Sequence, residues 1–435
     1  MKEKYDIVII GSGLGGLLCG LMLSRDGYKV CILEKNEQPG GSLQTFRRKN
    51  CEFETGMHYI GSLDEGQVMN QFFKYFNILD DLKVKRLDED GFDILNIGGK
   101  EYKYAMGYEP FQNQLNAYFP AEKEPISNYI QTLKKVSDSA PLYNLRVPDL
   151  SNLKINEYLS INAYDYIKSL TSNIDLQNVL AGLNFNYAGS SKNTPLYVHA
   201  LINNYFIKSA YRFIGGSDQV SKLLEKQIWA NGGTIITGFE AKELVFKDKK
   251  LVAVEDTKGE RMYANSFISN MHPSQILGMI EPGKVRPSYA KRIHSLENTI
   301  SSFTLHLSLK KDTFKYRNAN YLYFRRNNVW TIDSYDEKTW PENYFFFFPV
   351  QSEDMKYANC ASVLSYMKFD ELKRWENTTE GNRGDDYNEW KKGKAEKLLA
   401  LVYKQFPELK GNIQEYYAST PLTYRDHLGT PEGSM

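Results

Sequence analysis

An α/β fold built round a nucleotide-binding strand–turn–helix, with a second part of mixed sheet and helices, is what this sequence predicts. Three observations carry that expectation. Tyr5-Asp6-Ile7-Val8-Ile9-Ile10 is an apolar run that leads into Gly11-Ser12-Gly13-Leu14-Gly15-Gly16. An apolar helical stretch follows, and Val30-Cys31-Ile32-Leu33 then ends in Glu34, 23 positions after Gly11. Farther along, runs rich in aromatic and β-branched residues, such as Thr299–Leu309 and Ala361–Met367, read as strands of a separate sheet.

Each part of the first unit has a physical reason. Gly11 permits the tight turn, Gly13 lets a pyrophosphate approach the main chain, and Gly16 lets the helix pack close to the strand. The free N–H groups and positive dipole end of the helix then face the phosphates. Glu34 has the spacing of a carboxylate that binds a ribose hydroxyl, and it disfavours a phosphate on that ribose because two anions would face each other. Lys35 follows, and Pro39-Gly40-Gly41-Ser42 adds a second glycine pair. A nicotinamide site does not need that pair. A buried FAD does, because a second loop must approach its phosphates and ribitol. An ordinary loop after Pro39 is the competing reading of the pair. The expected cofactor is therefore FAD, and the expected cofactor-binding residues are Gly11, Gly13, Gly15, Gly16, Glu34, Lys35, Gly40, Gly41 and Ser42.

The run Gly40–Phe46 and the segment Phe53-Glu54-Thr55-Gly56-Met57-His58-Tyr59-Ile60-Gly61 resemble the phytoene desaturase superfamily of flavoproteins. Within it, the chain is most similar to the branch containing carotenoid isomerases and all-trans-retinol saturases. Pro195–Ala200 leading to Tyr211–Gly216, Ser269-Asn270-Met271-His272-Pro273, and Thr420–Asp426 followed by Gly429–Ser434 agree with that branch. The resemblance implies an FAD-binding domain from two pieces, residues 1–86 and 211–285, with backbone near Ala241 passing the adenine. It implies a substrate domain of sheet and helices from residues 87–210 and 286–415. It also implies a further segment beyond residue 435 that carries the last strand and helix of the flavin domain.

Local patterns fill in the pieces. Glu122–Ser139, Asn173–Ala181, Leu196–Ile207 and the stretch from Gly215-Gly216-Ser217 to Asn231 read as helices. Residues 87–210 read as mainly helical. Thr234–Thr237, Ala241–Phe246, Leu251–Asp256 and Ser266–Ser269 read as strands, as do Tyr321–Arg326, Val329–Ser334 and Phe345–Val350. Along Phe345–Phe348, alternation puts only half the rings on one face.

The chemistry-bearing residues are few. Six histidines are present and none forms a ligand-spaced pair, and the four cysteines show no metal spacing. No metal site is expected. The catalytic candidates are His58, on the segment that by resemblance passes the flavin, and His199, on a helix with Tyr205 and Phe206 nearby. Both have a competing reading as packing residues. The branch carries a second histidine where this chain has Asn204. Glu54 and Asp218 read as loop- and helix-fixing carboxylates.

Composition sets the outer bounds. Lys+Arg 54 against Asp+Glu 53 leaves a net charge of +1, too small a field to draw nucleic acid. With 435 residues, two domains are expected. The apolar run from Ile7 to Leu23 contains the glycine turn and is too short to span a bilayer comfortably, so no transmembrane helix is expected. Cys19 and Cys31 in apolar patterns fit a reducing compartment, and a cytoplasmic location with peripheral membrane contact suits an apolar substrate. The 31 tyrosines and 23 phenylalanines follow from a bias toward Lys, Asn, Ile and Tyr, or else line a pocket for a long apolar ligand.

The activity implied is an FAD-dependent oxidoreductase acting on carbon–carbon double bonds of a polyene, as saturase, desaturase or isomerase. Only one complete dinucleotide fingerprint is present, so NAD(P)H would serve as a transient electron donor rather than a resident cofactor. A flavin amine oxidase and a non-catalytic flavin- or lipid-binding protein are the rival readings.

Overall fold

The computed structural model describes residues 4–146 and 155–435. Its first sheet grows from the opening unit: strand β1 (Lys4–Ile10), helix α1 (Leu14–Arg25) and strand β2 (Val30–Leu33). Strand order in this sheet is Thr234–Ile236, β2, β1, Arg261–Ser269, Lys250–Asp256, Ala241–Lys247. The first four are parallel, with Ile7 opposite Val30 and Ser266, while the last two turn back antiparallel. Side chains alternate across β1. Ile7 and Ile9 join one core with Leu17 and Leu21 of α1 and Leu224 and Ile228 of the Asp218–Ala230 helix. Val8 and Ile10 join the opposite core with Leu33, Phe239 and Val254. The parallel strands therefore end together at the glycine loop, the edge at which open α/β sheets bind ligands.

The second sheet has seven strands in the order Ile413–Ser419, Ser301–Leu309, Cys360–Met367, Asn343–Phe347, Asn320–Phe324, Asp93–Ile97, Lys100–Tyr104. Pairing is antiparallel except between Asn320–Phe324 and Asp93–Ile97. All nine positions of Ser301–Leu309 are buried, so both faces are covered. Phe345 and Phe347 point into the core shared with the helices of residues 108–208, while Phe346 and Phe348 point into the core under the Asp385–Gln405 helix. A small sheet of Ile60–Gly61, Ala210–Phe213 and Val84–Arg86 lies where the chain passes between the two large sheets.

The structure corrects several sequence expectations. Val329–Ser334 forms no strand. Its backbone is taken by side chains instead: Val329 N donates to Asn178 Oδ1 at 3.2 Å, Asn184 Nδ2 donates to the Val329 carbonyl at 2.7 Å, and Trp330 N donates to Asn328 Oδ1 at 3.0 Å. Asn side chains next to a strand-like run compete with the ladder in this way. Residues 87–210 are mainly helical, as expected, but they begin with a hairpin of Asp93–Ile97 and Lys100–Tyr104 closed by Gly98-Gly99, both at positive φ. That glycine pair between alternating strands is a hairpin signal the composition of the region obscured. The boundary expected at residue 415 falls inside the Ile413–Ser419 strand. The chain continues into the Pro421–Leu428 helix, whose Asp426 carbonyl accepts from Lys35 Nζ at 2.8 Å. No helix among the described residues is long and apolar enough to cross a membrane.

Candidate active site at the glycine loops

The two glycine loops meet. Gly40 N donates to the Ser12 carbonyl at 3.1 Å, and Gly13 and Gly40 form a parallel bridge. Gly40 and Gly41 both sit at positive φ, and a Cβ on Gly41 would come within 3.1 Å of the Gly13 Cα. Gly11 is also at positive φ. A Cβ on Gly16 would overlap the Gly11 carbonyl oxygen, which is the close strand–helix packing expected of the third glycine. Gly13 caps α1 without any side-chain hydrogen bond, leaving the first amides of the helix free for a ligand.

Asn270 completes this corner, and sequence reasoning did not assign it. Asn270 N donates to the Ile10 carbonyl at 2.8 Å, and its side chain lies over the loop. A Cβ on Gly13 would stand 2.9 Å from Asn270 Nδ2, and one on Gly15 would stand 2.8 Å from Oδ1. Glu34 is buried beneath the same loop. Its Oε2 accepts from Ser12 N at 3.1 Å and from the Ser12 hydroxyl, and its Oε1 accepts from Asn36 N at 2.9 Å. The carboxylate thus holds the loop from below. Phe239 N donates to the Glu34 carbonyl at 2.9 Å, which puts the start of the Ala241–Lys247 strand on the rim beside Glu34.

A cavity of about 650 Å³ opens from these loops. Gly13, Leu14 and Gly40–Leu43 form one end, and Gly56–Tyr59 runs along its side. The far wall is mainly apolar and aromatic, with Phe185, Ile202, Phe206, Phe345 and Leu364. Tyr59 stacks on Phe206 at 4.2 Å between ring centroids and lies 5.8 Å from Phe345. The glycine cradle and the free amides suit a dinucleotide, and the adjoining apolar volume suits a flat or elongated hydrophobic group.

A family model described as an NAD(P)-binding Rossmann-like domain matches residues 9–76. The chain is 26% identical to human all-trans-retinol 13,14-reductase over 100% of this chain and 77% of that protein. It is 22% identical to prolycopene isomerase 1 of an Oncidium hybrid, over 99% of this chain and 75% of that protein. The chain is a relative of the retinol reductases and prolycopene isomerases. Among solved structures, cyclohexylamine oxidase from Brevibacterium oxydans matches with a TM-score of 0.58 at 14% identity, covering 96% of this chain and 84% of that one. That likeness speaks to the fold.

The two candidate histidines part company. His58 lines the cavity, its ring 4.5 Å from that of Phe347, and neither ring nitrogen has a partner among the described residues. His58 Nδ1 lies 3.8 Å from Glu54 Oε2, which is also buried and unpartnered. Burial, with the Arg212 charge second, lowers the His58 pKa to about 3, and burial pushes Glu54 well above the ordinary carboxylate range. His199 does not reach the cavity. Its Nε2 is 2.8 Å from the Tyr129 hydroxyl and its Nδ1 is 2.7 Å from the Tyr187 hydroxyl. Both nitrogens are spent on holding the core, so the structure removes His199 from the catalytic candidates. Asn204 is likewise a core residue, bridging the hydroxyls of Tyr108 and Tyr143 at 2.8 and 3.1 Å.

Behind the cavity wall runs a buried polar chain that the sequence did not reveal. Arg212 is fully buried. Its Nη1 donates to the Phe348 carbonyl at 2.8 Å, its Nε to the His58 carbonyl at 3.3 Å, and its Nη2 to Asn320 Oδ1. Asn320 Nδ2 donates to Asp93 Oδ1 at 2.7 Å, and the Tyr59 hydroxyl donates to Asp93 Oδ2 at 3.0 Å. Burial raises the Asp93 pKa to about 7. The one available hint was an arginine between aromatic residues in an apolar strand, Tyr211-Arg212-Phe213. Such an arginine stays buried only when its donors are all taken.

Proposed function

We propose that this chain is an FAD-dependent oxidoreductase acting on carbon–carbon double bonds of an apolar, conjugated polyene. The observation that carries the reading is one continuous cavity that starts at paired glycine loops and ends among aromatic and aliphatic side chains. The relatives named for retinol and prolycopene chemistry support the substrate class. The expected cofactor contacts are Gly11, Gly13, Gly15, Gly16, Gly40, Gly41 and Ser42 around the phosphates and ribitol, with Glu34, Lys35 and the backbone at Ala241 toward the adenosine end.

When bound, the flavin supplies or accepts the hydride. The protein does the rest. The rings of Tyr59, Phe206 and Phe345 hold the chain of double bonds flat and exclude water. Adding hydrogen across a double bond also needs a proton, and the apolar wall offers few sources. Glu54 is one: burial keeps a proton on it while the cavity is neutral, and with His58 Nδ1 3.8 Å away, negative charge arriving beside His58 would draw that proton across to the imidazole.

The His58→Gln variant should keep its flavin content and lose about 10²-fold in the rate of double-bond reduction, the usual worth of one proton-transfer group. An unchanged rate would remove His58 from the reaction. The function itself is tested by photoreducing the flavin-loaded chain without oxygen and adding a retinoid, a carotenoid or an amine-derived imine. Return of the yellow colour with the polyenes alone is the expected result. A flavin that stays reduced with both polyenes would defeat the reading.

A further inference from the structure

A second cavity, of about 730 Å³, lies on the other side of the same loops. Gln44, Thr45 and Thr55 line it, while their neighbours Ser42, Leu43 and Gly56 line the first. Its chemistry differs. Four cationic side chains, Arg48, Arg383, Lys391 and Lys392, stand round it against one lining carboxylate, Glu380. Glu380 is matched by His427 at 3.0 Å, and Arg383 pairs with Asp426. Among the described residues, Arg48, Lys391 and Lys392 have no carboxylate partner. Arg48 instead lies 5.5 Å from the Phe46 ring and 5.8 Å from Tyr417, and Lys391 lies 5.4 Å from Tyr387. Burial and the neighbouring Arg383 charge lower the Lys391 pKa. His306 completes the lining. It is 2% exposed, its Nε2 is 3.1 Å from Ser419 Oγ, and its Nδ1 is buried without a partner among the described residues.

An excess of unpaired cations between aromatic faces, with an unused ring nitrogen in the wall, describes a receptor for a ligand that is both anionic and aromatic. We propose that this cavity binds a reduced pyridine dinucleotide, with Lys391, Lys392 and Arg48 on its phosphates and the tyrosine and phenylalanine faces against its rings. The proposal rests on the flavin reading. If FAD fills the glycine-loop site, saturating a double bond still consumes a hydride and a proton, and the hydride donor needs a place of its own. The overall reaction takes one reduced dinucleotide, one proton and one C=C, and returns the oxidised dinucleotide and a CH–CH bond. A cavity of this size lies within the range of small-molecule sites.

Binding is read without turnover. Trp390 stacks on Tyr387 of the cavity wall at 6.2 Å, so NADPH should quench tryptophan fluorescence in the flavin-free and flavin-loaded chain alike. The double variant Lys391→Ala/Lys392→Ala should weaken NADPH binding at least tenfold, and Arg48→Ala should do so separately. Flavin content and the rate of photoreduction should stay as in the parent chain. An excess of 2′,5′-ADP should compete. Three outcomes overturn the proposal: no NADPH binding to the parent chain, variants that bind as the parent does, or quenching reproduced by inorganic phosphate and not by the dinucleotide. A photoreduced chain that is reoxidised by polyenes but binds no NADPH would end this proposal and leave the function standing. One that binds NADPH at this cavity but is reoxidised by no polyene would do the reverse.

Discussion

Gly16→Ala is expected to yield a protein that purifies without colour and takes up no flavin. The added methyl would overlap the Gly11 carbonyl oxygen and approach Asn270 Nδ2 at 3.3 Å. The first contact is Cβ against backbone oxygen, so no rotamer relieves it. Helix α1 must move away from β1, and its free amides move with it. Overpacking of this kind costs about 1–3 kcal/mol even where a core can adjust. Here that strain falls on the atoms that would hold the phosphates, so flavin affinity should drop by about 10²-fold or more. Visible absorbance after folding with excess FAD measures it. Gly393→Ala is the control: Gly393 lies in the Asp385–Gln405 helix with nothing within 4 Å of its missing Cβ. That change should raise stability by about 0.5–1 kcal/mol and leave the flavin bound. If both variants bind FAD normally, the glycine loop is not a phosphate cradle.

The second large effect is expected at Arg212. Replacing it by methionine keeps most of the apolar stem but strips donors from the carbonyls of His58 and Phe348 and from Asn320 Oδ1. It also removes the positive charge that opposes the rise of the Asp93 pKa. Removing one partner from a buried charged network costs about 3–5 kcal/mol. The loss should appear as a lower denaturant midpoint, and it should depend on pH. A carboxyl whose folded pKa is raised from 3.8 to about 7 binds its proton more tightly in the native state. Its stabilising contribution is full below about pH 4 and is lost as pH rises through about 7. Without Arg212 the folded pKa rises further, so Arg212→Met should be more damaging at pH 8 than at pH 6. Adding Asp93→Asn should shrink that pH dependence, leaving the part carried by buried Glu54, whose raised pKa the Arg212 charge also opposes. A variant equally stable at both pH values would show that Arg212 and Asp93 are not electrostatically linked.

The histidines show why part of the site was readable and part was not. His58 could be singled out because it follows Gly56 in a segment that, by resemblance, passes the flavin. His199 stood out because it lay on a helix with Tyr205 and Phe206 nearby, where the branch this chain resembles tends to carry a histidine. The difference between them, free ring nitrogens in one and two tyrosine partners in the other, depends on Tyr129 and Tyr187 approaching from other elements. The hairpin at Gly98-Gly99 was legible in principle, since two glycines between alternating runs fit a two-residue turn. The Val329–Ser334 segment was not, because what decides it is hydrogen bonding to Asn178 and Asn184, roughly 150 positions away.

By itself, the sequence determined the strand–glycine turn–helix–strand–acid unit. Those features obey local rules: which residues tolerate positive φ, which spacing stacks a helix on a strand, and how apolar side chains alternate. It also determined that Phe345–Phe348 would divide between two faces. Only the tertiary structure decided what surrounds that unit. Asn270 closes over the glycine loop, the Arg212–Asn320–Asp93 chain joins residues 108 and 227 positions apart, and His306 comes to rest against Phe46. Burial strengthens such contacts and makes an unpaired group costly, but burial is a property of the packed chain. No window of sequence contains it, so the polar network and the charged second cavity became visible only when distant segments were brought together.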